Sequence, residues 1–272
     1  MKILFFDVEN LPNIVNTFTL FNTSIPYTNI IENQSIISIA WKWGGQKKIY
    51  CSSIIDDMTR FKRNVYDDYV PVKRFHQVLL TADSFCLCGH NIRNFDLKKL
   101  NTAFIKHGLE PTQERQMIDT LTAARRYFRF DSNRLDYLAR FLEVGEKLET
   151  GGYQLWLDIL QSKYPEIGHS PDIQLSIDSV KKMCRYNKVD VDITEKCYEK
   201  LKPFINNHPN YALYNKEQIV CTKCGSSDIF KAGWRYMKSH RYQRYACKDC
   251  KSKFDPPNKL REAYSGSFDD ES

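Results

Sequence analysis

The sequence predicts an α/β fold, a mixed sheet flanked by helices, with a small cysteine-bound module at its C-terminal end. Three observations carry that prediction. A short apolar run, Ile3-Leu4-Phe5-Phe6, opens the chain, and a second β-rich stretch follows at residues 35–41. A strand-like segment at residues 84–88 leads through a turn into a helix, the connection expected of a parallel sheet. Two Cys-x-x-Cys pairs, Cys221/Cys224 and Cys247/Cys250, close the folded part.

Four apolar residues suffice for a buried strand, and Asp7, Val8 and Glu9 follow them at once. Side chains two apart on a strand share a face, roughly 6.6 Å from one another. Asp7 and Glu9 are therefore expected on one face, with Val8 turned into the core. Residues 12–33 lack periodicity and contain Pro12 and Pro26, which predicts a loop with one short extended piece. Strands at 35–41 and 47–51, joined through Gly44-Gly45, add an antiparallel meander to the first strand. Residues 56–68 read as helical in part. Phe75, Val78, Leu79 and Ala82 give 72–82 a helical stripe. After the strand at 84–88, a helix starting near Asp96 buries Leu97, Leu100, Phe104 and Ile105 and ends at Gly108. Residues 117–130 predict a helix capped by Asp119, and Ser132 or Asn133 caps the next, through Leu135, Leu138, Ala139 and Leu142. A charged loop spans 147–152. A long helix covers 178–201 and places Tyr186 and Asp190 one turn apart on the same face. His90 is expected to be a turn residue, and Asp192 to lie on the exposed face of that helix.

Composition narrows the function classes. The chain has 272 residues, of which 42% are hydrophobic and 13% aromatic, suited to a globular core rather than to disorder. No apolar stretch is long enough for a membrane span, and no basic segment precedes one as in a signal peptide, so the chain is expected in the cytoplasm. The net charge is +7, and residues 216–261 hold 12 Lys and Arg against 4 Asp and Glu. The positive charge is thus concentrated in one segment, as in a nucleic-acid contact surface. Nine cysteines are too many by one for full pairing and disfavour a disulfide framework.

Acidic residues from three distant segments complete a pattern: Phe6-Asp7-Val8-Glu9, then Asn91 to Phe95-Asp96, then Tyr186-Asn187-Lys188-Val189-Asp190. In order and spacing the chain resembles the DEDD superfamily of 3′-to-5′ exonucleases over residues 1–205. Arg185 stands where the histidine subtype has its histidine, so the resemblance is to the tyrosine subtype. Ile118-Asp119-Thr120-Leu121 and residues 135–147 also look like the family. The resemblance implies an RNase H-like fold, with Asp7, Glu9, Asp96 and Asp190 holding two Mg²⁺ or Mn²⁺ ions and Tyr186 orienting the attacking water. The chemistry asks for these residue types. Phosphodiester hydrolysis needs a nucleophilic water and charge stabilisation on the leaving oxygen, which two cations supply, and hard cations take carboxylate oxygens. Asn91, Phe95 and Lys147 are candidates for contacts to the terminal nucleotide or its phosphates.

The paired Cys-x-x-Cys knuckles, 22 residues apart, predict a four-thiolate structural Zn²⁺ site of the ribbon type. Gly225 follows the first pair, where the knuckle turn favours a residue without Cβ. Trp234, Arg235, Tyr236, Arg241, Tyr242 and Arg244 lie between the pairs and could neutralise phosphates and stack on unpaired bases. The segment resembles zinc ribbons of DNA-processing proteins; a protein-binding ribbon, with a replication or repair protein as partner, is the alternative. The expected organisation is an exonuclease domain over 1–205, a linker over 206–218, a ribbon over 219–255 and a disordered tail over 256–272. The expected substrate is single-stranded DNA. An exoribonuclease and a non-catalytic nucleic-acid-binding adaptor are the alternatives.

Overall fold

A computed structural model describes residues 2–19, 21, 24–81, 85–112, 116–164, 172–205, 208–214, 218–238 and 241–255. The chain divides into two compact units, one of residues 2–197 and one beginning at Tyr198. The tail expected to be disordered, 256–272, lies outside the described residues.

In the first unit, strand β1 (Lys2–Asn10) is the centre of a five-stranded sheet. On one side it pairs antiparallel with β4 (Ile36–Trp43), which pairs antiparallel with β5 (Tyr50–Ser53). On the other it pairs parallel with β6 (Phe85–Gly89), followed by β7 (Met117–Asp119), giving the order β5-β4-β1-β6-β7. The meander and the parallel half are both as the sequence predicts. Two short strands, β2 (Ile14–Val15) and β3 (Ile30–Glu32), pair in the stretch read as a loop.

Alternation along β1 divides the core. Leu4, Phe6 and Val8 pack with Val72, Phe75 and Leu79 of α2 (Tyr69–Leu80) and with Leu100 and Phe104 of α3 (Asp96–Lys106). Leu11 and Ile37 belong to a second cluster with α1 (Met58–Arg63), α6 (Gln154–Leu160) and α7 (Ile173–Leu201). Asp7 and Glu9 are of the opposite parity to Val8, so they leave the first core.

Three expectations are corrected. Residues 117–119 form β7 rather than the first turn of a helix, because Leu87, Cys88 and Gly89 pair with them along the sheet edge. The helix, α4 (Thr120–Tyr127), starts only after Asp119, whose side chain caps it through the Leu121 and Thr122 N–H groups. Neither Ser132 nor Asn133 caps α5 (Leu135–Phe141): Arg134 is its N-cap and makes no side-chain cap bond. Residues 147–152 carry no helix or strand, as expected of a loop, and α6, for which no element was predicted, follows and buries Leu155, Ile159 and Leu160. Asp192 is not simply exposed. It pairs with the buried Lys42 at 3.2 Å and, with Glu195, ties α7 to β4.

In the second unit, β8 (Ile229–Tyr236), β9 (Arg241–Cys247) and β10 (Lys253–Phe254) form an antiparallel sheet in the order β10-β9-β8. Within the stretch read as a linker, His208 and Ala212 are buried, and the Tyr211 N–H donates to Thr222 O at 2.7 Å. Among the described residues no helix is long and apolar enough to cross a membrane.

Candidate active site

The acids of β1 stand where the sheet opens. Pairing of β1 with β6 stops at Phe5, opposite Cys88. Beyond it the Val8 N–H has no strand partner on that side and donates instead to Asp96 Oδ1 at 3.1 Å. This bond brings the first residue of α3 to the edge of β1. Gly89 permits the turn to pack this closely against β1: a Cβ there would meet Ile92 at 3.0 Å and the Phe6 carbonyl at 3.2 Å. The Asn91 turn is held by Asp119, which accepts from the Asn91 N–H at 3.0 Å and the Arg93 N–H at 3.4 Å. Asn91 itself has φ 67°, a left-handed conformation that asparagine tolerates. Asp119 therefore anchors α4 and the Asn91 turn with one carboxylate.

Helix α7 is located by a buried polar contact. Asn187 Nδ2 donates to Ser38 O at 3.3 Å and Oγ at 3.1 Å, and Ser38 is the β4 residue opposite Glu9. Asp190, just under a turn further along the helix, meets Asp7 and Glu9, with one oxygen from each of the three within 4.8 Å of the others. Asp96, 4% exposed, lines the same 690 Å³ groove. The structure thus brings together all four acids expected from the sequence, three in a tight cluster and Asp96 beside them.

The cluster is electrostatically costly. Burial, then Asp96, Glu9 and Asp190, raise the Asp7 pKa well above the carboxylate range, with Lys147 opposing. Burial, with Asp190, pushes Glu9 up to about 8, and burial pushes Asp96 up to about 7. Asp190 is raised by burial against the pull of Lys147 and Tyr186. Its Oδ1 is buried and has no hydrogen-bond partner among the described residues. Clustered carboxylates with a spare buried oxygen fit a hard divalent cation. The group could hold metal.

Lys147 lies among the acids. Its Nζ donates to Asp190 Oδ2 and, at 3.0 Å, to Tyr186 Oη. Burial and the neighbouring Asp190 charge push the Tyr186 phenol up to about 12. Phe95, 42% exposed, and Asn91 line the groove wall. His90 lines it too, but both ring nitrogens are occupied, by Thr120 Oγ1 at 2.9 Å and Asn133 O at 2.9 Å. It is the turn residue the sequence suggests, and it fastens the 131–134 loop. That loop, with Arg125 and Asp136, forms a wall the sequence did not reveal, because no motif or periodicity marks it.

The second unit holds the other candidate centre. The Sγ atoms of Cys221, Cys224, Cys247 and Cys250 lie within 4.8 Å of one another. Cys221 and Cys250 approach at 3.5 Å, and Cys224 and Cys247 at 3.6 Å, all four being free. Zn–S bonds of about 2.3 Å in a tetrahedron place sulfurs roughly 3.8 Å apart, so the four thiols fit zinc. Gly225 and Lys251, each just after a Cys-x-x-Cys pair, have φ +77° and 60°, the left-handed turn expected at Gly225. Of the ribbon side chains, Trp234 is 38% and Tyr236 67% exposed, and the Arg241 guanidinium lies 4.6 Å over the Trp234 ring. Asp255 draws in Arg235 at 2.7 Å, Arg244 at 3.2 Å and the hydroxyl of the buried Tyr242 at 3.4 Å.

No protein-family model matches the sequence, and no curated protein does. Among solved structures, the chain is similar to a family B DNA polymerase from the hyperthermophilic archaeon Pyrobaculum calidifontis. The TM-score is 0.50 at 17% identity, covering 74% of this chain and 24% of that one. The chain spans about a quarter of the polymerase's length, and the likeness is one of fold. With the sheet order β5-β4-β1-β6-β7 and its flanking helices, it is consistent with the RNase H-like α/β architecture that the sequence predicts.

Proposed function

We propose that this chain is a divalent-metal-dependent 3′-to-5′ exonuclease of the DEDD tyrosine type acting on single-stranded DNA. The observation that carries the reading is the convergence of Asp7, Glu9, Asp96 and Asp190, from three distant segments, in one open groove. Likeness in fold to a DNA polymerase supports a polynucleotide substrate. A cation pair in the acid cluster would supply a water of lowered pKa and stabilise charge on the leaving oxygen.

The chain's own residues prepare the rest. With a pKa near 12, Tyr186 keeps its proton at neutral pH, so it orients a water rather than removing the water's proton. Accepting a hydrogen bond from Lys147 fixes its hydroxyl rotor. Phe95 offers a face against which the terminal base can stack, and Asn91 offers its amide beside it. The second unit binds a structural Zn²⁺ through its four cysteines. Trp234 and Tyr236 expose ring faces on which a strand's bases could stack, with the Arg241 guanidinium over the Trp234 ring, whereas Arg235 and Arg244 are drawn to Asp255.

Digestion of end-labelled single-stranded DNA and RNA with Mg²⁺ tests the proposal. DNA shortened from its 3′ end is expected. Asp7→Ala and Asp190→Ala should each lower the rate by more than roughly a hundredfold, since loss of even an outer partner of a metal site costs 10–100-fold. Undiminished cleavage in both variants would overturn the site. Degradation of RNA alone would move the substrate class, and strand binding without cleavage by the native chain would favour an adaptor.

A further inference from the structure

Four aromatic rings beside the groove take no part in the site described above. Phe128 and Phe130 stack at 5.1 Å between ring centroids, Phe130 meets Phe141 edge-on at 5.1 Å, and Phe141 stacks on Tyr137 at 5.9 Å. They come from the end of α4, the connecting loop and one face of α5, where Tyr137 and Phe141 are four residues apart. Phe141 is 59% exposed, and the other three rings are half-buried. Such a row is unusual on a surface, because apolar rings gain from burial and here remain in contact with water.

What surrounds the rings indicates their occupant. Residues 121–141 contain five arginines, Arg125, Arg126, Arg129, Arg134 and Arg140, against only Asp131 and Asp136. All five arginines are exposed, and among the described residues Arg125, Arg126 and Arg129 make no ion pair with a carboxylate. A neutral apolar partner would not need this many guanidinium groups, whereas a polyanion carrying flat bases uses both features. The row is also continuous with the acid groove. The Tyr137 hydroxyl donates to Asp131 at 3.3 Å, and Asp131, Arg125 and Arg134 line the groove itself.

We infer that the Phe128–Phe130–Phe141–Tyr137 row is a stacking track for the unpaired bases that follow the nucleotide held in the groove, with the arginines neutralising their phosphates. The inference rests on the groove being the seat of a strand's 3′ end. The track would give the protein a preference for longer single strands through this unit alone, with no reading of sequence, since every base has a π-face.

The test compares the full-length chain with Phe130→Ala/Phe141→Ala and with Arg126→Gln/Arg129→Gln. Binding is measured by fluorescence anisotropy, with Ca²⁺ present, to labelled dithymidylate and to a long oligothymidylate, and hydrolysis of dithymidylate is measured with Mg²⁺. Removing the rings should weaken binding of the long strand roughly tenfold per ring. Binding and hydrolysis of the dinucleotide should be unchanged. The arginine pair carries no core packing, and its loss should reduce the salt dependence of long-strand affinity by roughly one unit of slope per residue. If both variants bind the long strand as the native chain does, or if the ring variant loses dinucleotide and long strand alike while melting normally, the track is overturned. A native chain that binds long strands through the rings but cuts nothing would sink the exonuclease reading and leave the track standing. A native chain with no preference for length would overturn the track and point to a protein partner on these rings.

Discussion

The acid groove and the cysteine cluster are both suited to metal, but they relate to their folds in opposite ways. The groove is built on a strand buried on both faces, between two extended hydrophobic clusters, and its acids are fixed by Val8, Ser38–Asn187 and Asp119. The cysteine site has little core beneath it: Cys221, Cys247 and Phe254 are its fully buried members, with Ile219, Ile229 and Tyr245 around them. In the first unit the fold organises the acids and tolerates their repulsion. In the second the four cysteines are themselves a large part of the core. Metal should therefore be a functional addition in one and a folding determinant in the other.

The largest expected effect follows from this. Apparent binding free energies for structural zinc are on the order of 10–16 kcal/mol, more than a sheet of this size can gain by burial alone. Cys221→Ser with Cys224→Ser should remove bound zinc, measured as metal content per chain, and unfold the second unit by limited proteolysis. Residues 2–197 should stay protected. A second unit that stays protease-resistant without zinc would break the comparison.

Next in size is a change in the groove that stabilises while it inactivates. Glu9 has its pKa raised from 4.5 to about 8 in the fold, mainly by burial. A carboxyl held protonated by the fold contributes most below its unfolded pKa and loses that contribution as pH rises through the folded one. The metal-free first unit should therefore lose stability between about pH 4.5 and 8, the range of that shift. Glu9→Gln, which cannot ionise, should recover on the order of 5 kcal/mol at the alkaline end while abolishing the proposed cleavage. Saturating Mg²⁺ should flatten the native slope, since the cation binds the deprotonated acids. Equal slopes in chelator, in Mg²⁺ and in the variant would show that the cluster is not strained.

A comparable loss is expected at Asp119. Its carboxylate accepts from the N–H groups of Asn91, Arg93, Leu121 and Thr122, and Asp119→Ala leaves all four donors unsatisfied at a site 7% exposed. The cost should be about 3 kcal/mol in denaturant unfolding, with Asp119→Asn recovering part of it. A change below 1 kcal/mol would mean that the turn and α4 are held by something else.

These residues also mark how far the sequence could be read. Strand period placed Asp7 and Glu9 on one face and helix period placed Tyr186 and Asp190 on another, but grouping these acids with Asp96 rested on the resemblance of the three motifs to the exonuclease superfamily. Asp119 was legible as a helix cap, but its hold on the Asn91 turn was not, since that bond spans 28 residues and depends on β7 pairing with β6. The β7 strand was hidden because three residues carry too little alternation to outweigh the helical pattern that follows. The groove wall at 131–136 was hidden because it is a loop, placed by His90 accepting and donating at both ring nitrogens. In the ribbon, spacing gave the four cysteines but not which arginines Asp255 would engage, a matter of sheet register.

The smallest effect sharpens the contrast through its sign. His208 in the second unit is 9% exposed, and its ring stacks on Tyr198. Nδ1 faces the Pro209 carbonyl at 2.8 Å, which can only accept, so Nδ1 carries the proton and Nε2 accepts from the Tyr198 hydroxyl at 2.6 Å. A second proton would charge a buried ring, and burial lowers the pKa from 6.5 to about 4. A histidine held neutral by the fold stabilises it fully above the unfolded pKa, and the contribution is lost as pH falls from 6.5 toward 4. The second unit should thus weaken on acidification over the range in which the metal-free first unit gains stability. His208→Gln should cost about 1 kcal/mol at neutral pH, through the altered hydrogen bonds, and should remove up to roughly 3 kcal/mol of the acid-dependent loss. The comparison is made with zinc bound, by following the second unit's amide exchange across that window. An unchanged acid slope in the variant would assign the sensitivity to protonation of the zinc thiolates, the other groups in the unit whose loss of function on acidification has the same sign.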